Sequence, residues 1–217
     1  MYRKSWFWIL FLIVVALSIF FVYKYAHQAL SVINVETTMS RQSSLLAADS
    51  LHKELGIQLS GYRQAVGFFS ESEFQNYVEL KAGGKPAFEK IIKGKDFKPY
   101  YWYIRHFVPG ETREAVLRFT PTGQVLSFTE KVPENEDIPS LTREEAQYLA
   151  DSLAVNKWQV PLHRYTLIES ATDHKPNGRV DHTFTYERSD FKLGEALFRL
   201  KLVVSGNRLS SLEPNVK

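Results

Sequence analysis

The sequence predicts an α+β fold in which one membrane-spanning helix precedes two units, each with a helix packed on an antiparallel sheet. Three observations predict this class. An uncharged apolar block lies near the start of the 217-residue chain. Several segments occur twice in the same order. Within each copy, a helical stripe of apolar residues is followed by segments that alternate apolar and polar residues, as in a sheet with one covered face.

The apolar block at residues 5–23 reads SWFWILFLIVVALSIFFVY and contains no charge. About 20 such residues, at ~1.5 Å rise each, cross a hydrocarbon core of roughly 30 Å. The block is longer than the apolar part of a secretory signal peptide and no A-x-A pattern follows it, so we expect an uncleaved anchor in the lipid bilayer. Arg3 and Lys4 precede it and only Lys24 follows closely, which favours a cytoplasmic stub at 1–4 and residues 24–217 outside.

Composition and missing motifs exclude several functions. The formal net charge is +3, and Arg3 with Lys4 carry two of these charges, so the part beyond the anchor is nearly neutral and predicts no nucleic-acid binding. The absence of cysteine excludes disulfides, a thiol nucleophile and cysteine-ligated zinc. No nucleophile elbow, P-loop, Rossmann glycine pattern or H-E-x-x-H is present. We therefore expect neither an enzyme nor a cofactor in this chain.

The repeated segments define two units. ADSL at 48–51 recurs at 150–153, LSGY at 59–62 resembles LHRY at 162–165, REAVLRF at 113–119 resembles GEALFRL at 194–200, and PTGQVLSF at 121–128 resembles VSGNRLSS at 204–211. The offset between copies shrinks after Tyr62, so the first copy holds an insertion. We predict a first unit at 36–133 with a helical insertion near 71–97, a linker at 134–140 rich in proline and acid, and a second unit at 141–217.

Each unit is predicted to begin with a helix and to continue with strands. In the first copy Ala48, Leu51 and Leu55 form an apolar stripe, and in the second a capping box at 142–145 precedes the matching stripe of Ala146, Leu149, Ala150 and Leu153. Strands follow at 62–69 and at 165–170, and aromatic strands at 100–108 and 182–188. The insertion is expected to form helices on both sides of Gly83-Gly84. Alternating segments with turns at 122–123 and 205–207 then predict a closing hairpin in each unit.

The stretch RVDHTFTYERSDFKLGEA at 179–196 holds the residue types of a metal or acid–base site. Asp181 and Glu187 share one face of the predicted strand but lie about 20 Å apart, and His182 points to the other face. We therefore interpret them as polar residues of a strand. A metal contact shared with Asp173 and His174 is the alternative.

Two arginines recur at the same place in the two copies. We expect Arg118 and Arg199 on an outward strand face, each paired with the glutamate four residues before it, Glu114 or Glu195. The sharper alternative is an arginine that binds a partner or an anionic ligand. Trp102 and Tyr103 lie in the aromatic run YYWYIRHF, which is interpreted as core and sheet cover, with a binding groove as the alternative. These four residues are the partner-binding candidates.

The order of helix, strand and antiparallel strands, repeated beyond an anchor, resembles PEPSY-like domains. The segments LSGYRQAVGF, KVPENEDIPSLTREEAQYLADSL and DHTFTYERSDFKLGEALFRLKLVVSGNRL resemble the N-terminal region of bacterial CPBP-family proteins, which are intramembrane metalloproteases. The family motif Glu-Glu-x-x-x-Arg is absent, because the pair Glu144-Glu145 is followed by Leu149 where the motif has arginine. No catalytic residue is carried over, and the chain is expected to be the front part of such a protein or a version without the protease.

The resemblance implies a non-catalytic, extracytoplasmic module of the bacterial inner membrane. It would bind a protein or peptide, and an intramembrane protease or its substrate is the partner that the family suggests. Two alternatives stay open: a truncated front of the protease itself, and a sensor of a small ligand or metal.

Overall fold

The computed structural model describes residues 4–29, 31–94 and 96–217. Of the predicted stub, residues 1–3 lie outside the described residues. Helix α1 (Ser5–Ala29) is long and apolar enough over Ser5–Ala26 to cross a membrane, and none of that window is buried in the fold. Its length and composition fit a membrane anchor or a signal sequence.

The other elements form an α+β fold, as the sequence predicts. A short 3₁₀ helix at Ser31–Asn34, here called the post-anchor turn, leads to the folded part. Helices follow at α2 (Arg41–Glu54), α3 (Ser72–Lys81), α4 (Gly84–Lys93) and α5 (Arg143–Asn156). The strands are β1 (Arg63–Ser70), β2 (Tyr100–Phe107), β3 (Glu114–Phe119), β4 (Val125–Lys131), β5 (Tyr165–His174), β6 (Val180–Arg188), β7 (Phe198–Ser205) and β8 (Arg208–Val216).

All eight strands form one antiparallel sheet with the order β1-β2-β3-β4-β8-β7-β6-β5. The sequence predicts a sheet in each unit, whereas the structure joins them through β4 and β8, where Phe128 lies opposite Leu212 and Thr129 opposite Ser211. The pairing has a physical reason, because each of these strands would otherwise expose an edge of unpaired backbone groups.

Helices α2 and α5 lie on the same face of the sheet, over one hydrophobic cluster. The predicted capping box of α5 is confirmed, since the Thr142 side chain accepts from the Glu145 N–H and the Glu145 carboxylate accepts from the Thr142 N–H. Ala146, Ala150 and Ala154 are fully buried, whereas Leu149 is half-buried. The small alanine side chains let α5 approach the sheet closely, and the larger residues of the cluster come from the strands, among them Phe128, Phe184 and Leu202.

The predicted helical insertion consists of α3 and α4, which a left-handed Gly83 separates. Its apolar side packs on the same face of the sheet, in a second cluster that includes Phe74, Phe88 and Phe198. Phe198 belongs to β7. The insertion lies between β1 and β2 in the chain, so it contacts the β5–β8 half of the sheet as well as the β1–β4 half. Nearby, the buried Arg188 of β6 donates to the Asp96 carbonyl at 3.0 Å and to its carboxylate at 2.6 Å.

Candidate binding face

One side of the sheet carries no helix among the described residues. Along each strand, successive side chains point to opposite faces of the sheet. Those on one face form the buried core, and those on the other face point away from α2 and α5. None of these side chains belongs to the hydrophobic clusters that hold the helices. We call this side the open face. In strand order from β1 to β5 it consists of Arg63, Ala65, Gly67, Phe69; Tyr101, Tyr103, Arg105, Phe107; Glu114, Val116, Arg118; Ser127, Thr129, Lys131; Ser211, Glu213, Asn215; Arg199, Lys201, Val203; Asp181, Thr183, Thr185, Glu187; and Glu169, Ala171, Asp173.

The predicted candidates near residue 181 do not come together as a site. Asp181 binds Arg179, with Nε to Oδ1 at 2.9 Å, and accepts from the Gly206 N–H at 3.1 Å. His182 lies on the opposite side of the strand and is 3% exposed. Its Nε2 donates to the Leu141 carbonyl at 3.1 Å, which leaves Nδ1 to accept from Thr172 at 3.1 Å.

Asp173 and His174, the alternative metal ligands, do not come together with Asp181 and His182 as a site either. Asp173 is directly opposite Asp181 in the sheet, but it accepts from Lys175 Nζ at 2.6 Å, and this ion pair lowers its carboxyl pKa. His174 is exposed on the other parity of the strand. Within the described chain, no group of three metal-ligating side chains is found.

The predicted partners of the two arginines are wrong. Glu114 accepts from Arg105 Nε at 2.7 Å, and Glu187 accepts from Arg199 Nε at 3.0 Å. Residues four apart on a strand are separated by about 13 Å, whereas facing residues of neighbouring strands lie about 5 Å apart. Glu187 faces Arg199 in the register, so the cross-strand contact forms.

Arg118 lies among aromatic rings on the open face. Its guanidinium carbon is 5.0 Å from the ring centre of Tyr101 and 5.8 Å from that of Tyr103. The nearest carboxylate contact is Glu213, with Nη2 to Oε1 at 3.8 Å, which exceeds hydrogen-bonding distance. The Nε atom is buried and has no hydrogen-bond partner among the described residues. Arg118 is therefore held in place with a donor that is not used.

The other aromatic candidate lies on the covered side. Trp102 is half-buried against α2 and its indole N–H donates to the Met39 carbonyl at 3.1 Å. Trp102 is thus a core residue, while Tyr103 and Arg118 share the open face. Arg199 lies on that face too, but three strands from Arg118, which corresponds to about 14 Å.

Sequence reasoning missed several members of the open face. Phe69 on edge strand β1 is 52% exposed and its ring contacts that of Tyr103 edge-on, with centres 5.6 Å apart. Arg105 follows two residues after Tyr103 on the same side of β2. The period-two pattern of YYWYIRHF could have separated Tyr101, Tyr103 and Arg105 from Trp102.

A second polar cluster lies beneath α2 and is closed to solvent. His106 is 0% and His52 4% exposed, with their Nδ1 atoms 3.0 Å apart. Gln64 Nε2 lies 2.9 Å from His106 Nε2, so Gln64 donates there and His106 Nδ1 carries the proton shared with His52. Burial, with a smaller effect of His52, lowers the pKa of His106 to about 4. Burial lowers the pKa of both histidines, so the pair is neutral at pH 7.

No family model matches the chain, and no curated protein matches it. Among solved structures, the chain is similar to the Bacillus megaterium YpeB C-terminal domain, with 11% sequence identity and a TM-score of 0.41. The match covers 82% of this chain and 64% of that one, so the chain spans less than two thirds of the length of that structure. A likeness at this level assigns neither a family nor a function.

Proposed function

We propose that this chain is a non-catalytic, membrane-anchored module that binds an extended, acidic protein segment on the open face. The observation that carries the proposal is Arg118. A buried guanidinium N–H without a partner is costly. Arg208 Nε is a second such group among the described residues, but Arg208 donates through Nη2 to Glu130 at 2.9 Å, whereas Arg118 has no carboxylate within hydrogen-bonding distance. A carboxylate from a bound segment would pair with the exposed part of this guanidinium, which two tyrosine rings already hold in place.

The charge of the β1–β4 half of the open face supports an acidic partner there. This half carries Arg63, Arg105, Arg118 and Lys131, against Glu114 as the acid among the described residues, whereas on the β5–β8 half acidic side chains outnumber basic ones. Glu114 is already bound to Arg105. The excess of positive charge would favour encounter with a negatively charged segment and would exclude basic ones.

The edge of the sheet supports an extended partner. β1 is an end strand, so one row of its backbone N–H and C=O groups has no strand beside it. Peptides that add a strand to such an edge gain main-chain hydrogen bonds, and they place alternate side chains on one face. A segment added beside β1 would bring these side chains next to Phe69 and Tyr103, within reach of Arg105. Arg118 on β3 lies three strand spacings, or about 14 Å, from a strand in that position, so the carboxylate for Arg118 would come from the part of the segment that continues across the open face.

Two finer parts of the proposal rest on the sequence. We propose that α2 with β1–β4, and α5 with β5–β8, are two copies of one PEPSY-like unit. In support, the ADSL runs lie in α2 and α5, and the glycine turns at Gly123 and Gly206 join the last two strands of each half. On the sequence resemblance alone, we propose a CPBP-type intramembrane protease, or a substrate of one, as the partner.

Arg118→Ala tests the proposed function. The probe is a fluorescent ten-residue peptide of alternating glutamate and valine, titrated with the full chain in detergent or nanodiscs. Loss of a charge-assisted hydrogen bond is worth about 1.5–3 kcal/mol, so we expect the Kd to rise at least roughly tenfold. Arg143→Ala, an exposed arginine on α5, removes the same charge and should leave the Kd within about twofold.

Equal effects of the two substitutions would contradict the assignment of the site, because they would indicate general charge attraction. A peptide in which lysine replaces each glutamate should not bind. Binding of the lysine peptide with similar affinity would exclude an acidic partner.

A further inference from the structure

We infer that a surface around the post-anchor turn rests on the membrane and contacts anionic lipid headgroups. The surface consists of Val32 and Ile33 of that turn, Phe69 at the end of β1, and Leu80 and Lys81 at the end of α3. This inference depends on α1 spanning the membrane. It shares Phe69 with the open face, so lipid and a bound segment would compete for that ring, but the lipid contact does not require the peptide site.

Exposed apolar side chains are concentrated at this place. Val32 is 45% exposed, Ile33 54%, Phe69 52% and Leu80 82%. Ser31, Val32 and Phe69 line one shallow recess, and the Ser31 hydroxyl lies 3.2 Å from the carboxylate of Glu79, the neighbour of Leu80. An exposed apolar cluster of this kind marks an interaction surface.

The length of the chain places this surface at the bilayer. The candidate span ends at Ala26, and the turn begins at Ser31. Even fully extended, the chain between these two residues covers at most about 18 Å, and part of it is helical and therefore shorter. The α3–α4 hairpin contacts the turn directly, since Asn34 Nδ2 lies 3.5 Å from the Glu89 carboxylate. The hairpin therefore cannot lie far from the headgroups.

The charges at the surface fit anionic lipid. Lys81, Lys85 and Lys93 are exposed, and Lys85 and Lys93 lie four residues before and after Glu89 on α4. Glu79 and Glu89 are half-buried and face the post-anchor turn, while Glu36 is an exposed acid close by. Apolar side chains flanked by lysines suit an interface where acyl chains begin and phosphates lie above them.

The 217-residue sequence contains no cysteine, so a single introduced cysteine can be labelled at one defined position. Leu80→Cys is labelled with an environment-sensitive fluorophore, and the full chain is placed in nanodiscs that contain phosphatidylglycerol and doxyl-labelled lipid. Apolar side chains at an interface enter it by about 5–10 Å, so we expect quenching at least about threefold stronger than at Tyr148→Cys. Tyr148 is 79% exposed on α5 and provides the matched control.

A charge-reversed variant tests whether the lysines bind anionic lipid. Lys81→Glu together with Lys85→Glu should reduce quenching at position 80 in anionic nanodiscs by about half or more, and should have little effect in phosphatidylcholine alone. Equal quenching at positions 80 and 148 would overturn the inference, and so would failure of the chain to enter nanodiscs. Peptide binding to Arg118 is read separately, so a failure here does not count against the open face.

Discussion

His106 lies on β2 with none of its surface exposed, and this burial favours the neutral form of its ring. Burial lowers its pKa from 6.5 to about 4, and burial also lowers the pKa of His52 beside it. Asp49 raises the pKa of both histidines and Lys53 lowers that of His52, but each of these effects is smaller than that of burial. Between pH 6.5 and about 4, His106 is therefore protonated in the unfolded chain but neutral in the folded state.

We predict that the free energy of unfolding falls as the pH is lowered from 6.5 to about 4. In this window the unfolded state binds the proton and the folded state does not, which costs on the order of 3 kcal/mol at the acid end. Urea titrations at a series of pH values measure it. His106→Gln removes the titrating ring and should flatten the curve in this window, whereas an unchanged slope would contradict the assignment to His106.

The contrast between Arg118 and Arg199 shows what single residues reveal before the fold is known. Their recurrence in similar sequence segments predicts a similar position on a strand, and both do lie on the open face. Their partners depend on which strand lies alongside, and the sequence does not state the register. Arg199 faces a glutamate on β6, while Arg118 faces tyrosines on β2, so two arginines in similar sequence segments differ in their chemistry.

At the scale of elements, local signals predict helices and strands well. The capping box at Thr142, the break at Gly83 and the period-two alternation of β3 each depend on neighbours in the chain, and each is found in the structure. The stripe of α5 is predicted less well. Ala146 and Ala150 are buried as predicted and Ala154 joins them, whereas Leu149 and Leu153 are only half-buried, because close contact with a sheet favours small side chains over large ones.

Ala150→Asp tests the packing of α5. Ala150 is 0% exposed, so an aspartate there buries a charge without a partner, and we expect a loss of at least about 4 kcal/mol in the free energy of unfolding. Tyr148→Asp places the same residue on the exposed side of the same helix and should change stability by less than about 1 kcal/mol. Chemical denaturation followed by circular dichroism compares them, and similar losses would show that α5 packs through a different face.

At the scale of the whole molecule, the two halves share one sheet and one core. The Trp158 ring of the second half lies 4.9 Å from Phe128 of the first, and Lys157 pairs with Glu54 of α2 at 3.1 Å. Repeated segments predict that two similar units exist, but they do not specify which edges meet. That information lies in the complementary edges of β4 and β8 and in the insertion, which reaches from one half to the other.

We predict that the two halves unfold together. Trp102 reports on the first half and Trp158 on the second, after Trp6 and Trp8 of α1 are replaced by phenylalanine. Single-tryptophan variants should give the same denaturation midpoint, because loss of either half exposes the edge and core surface of the other. Two separate midpoints would indicate units that fold independently, as the predicted linker at 134–140 suggests.

The central claim is that the open face binds a protein segment, and site-specific photocrosslinking in native membranes tests it most directly. Benzoylphenylalanine replaces Tyr103 on the open face or Tyr148 on α5, and the adducts are identified by mass spectrometry. The account predicts one protein adduct at position 103, through an acidic extended segment, that is absent at 148 and is strongly reduced by Arg118→Ala. The same adducts at both positions, or none at 103, would contradict it.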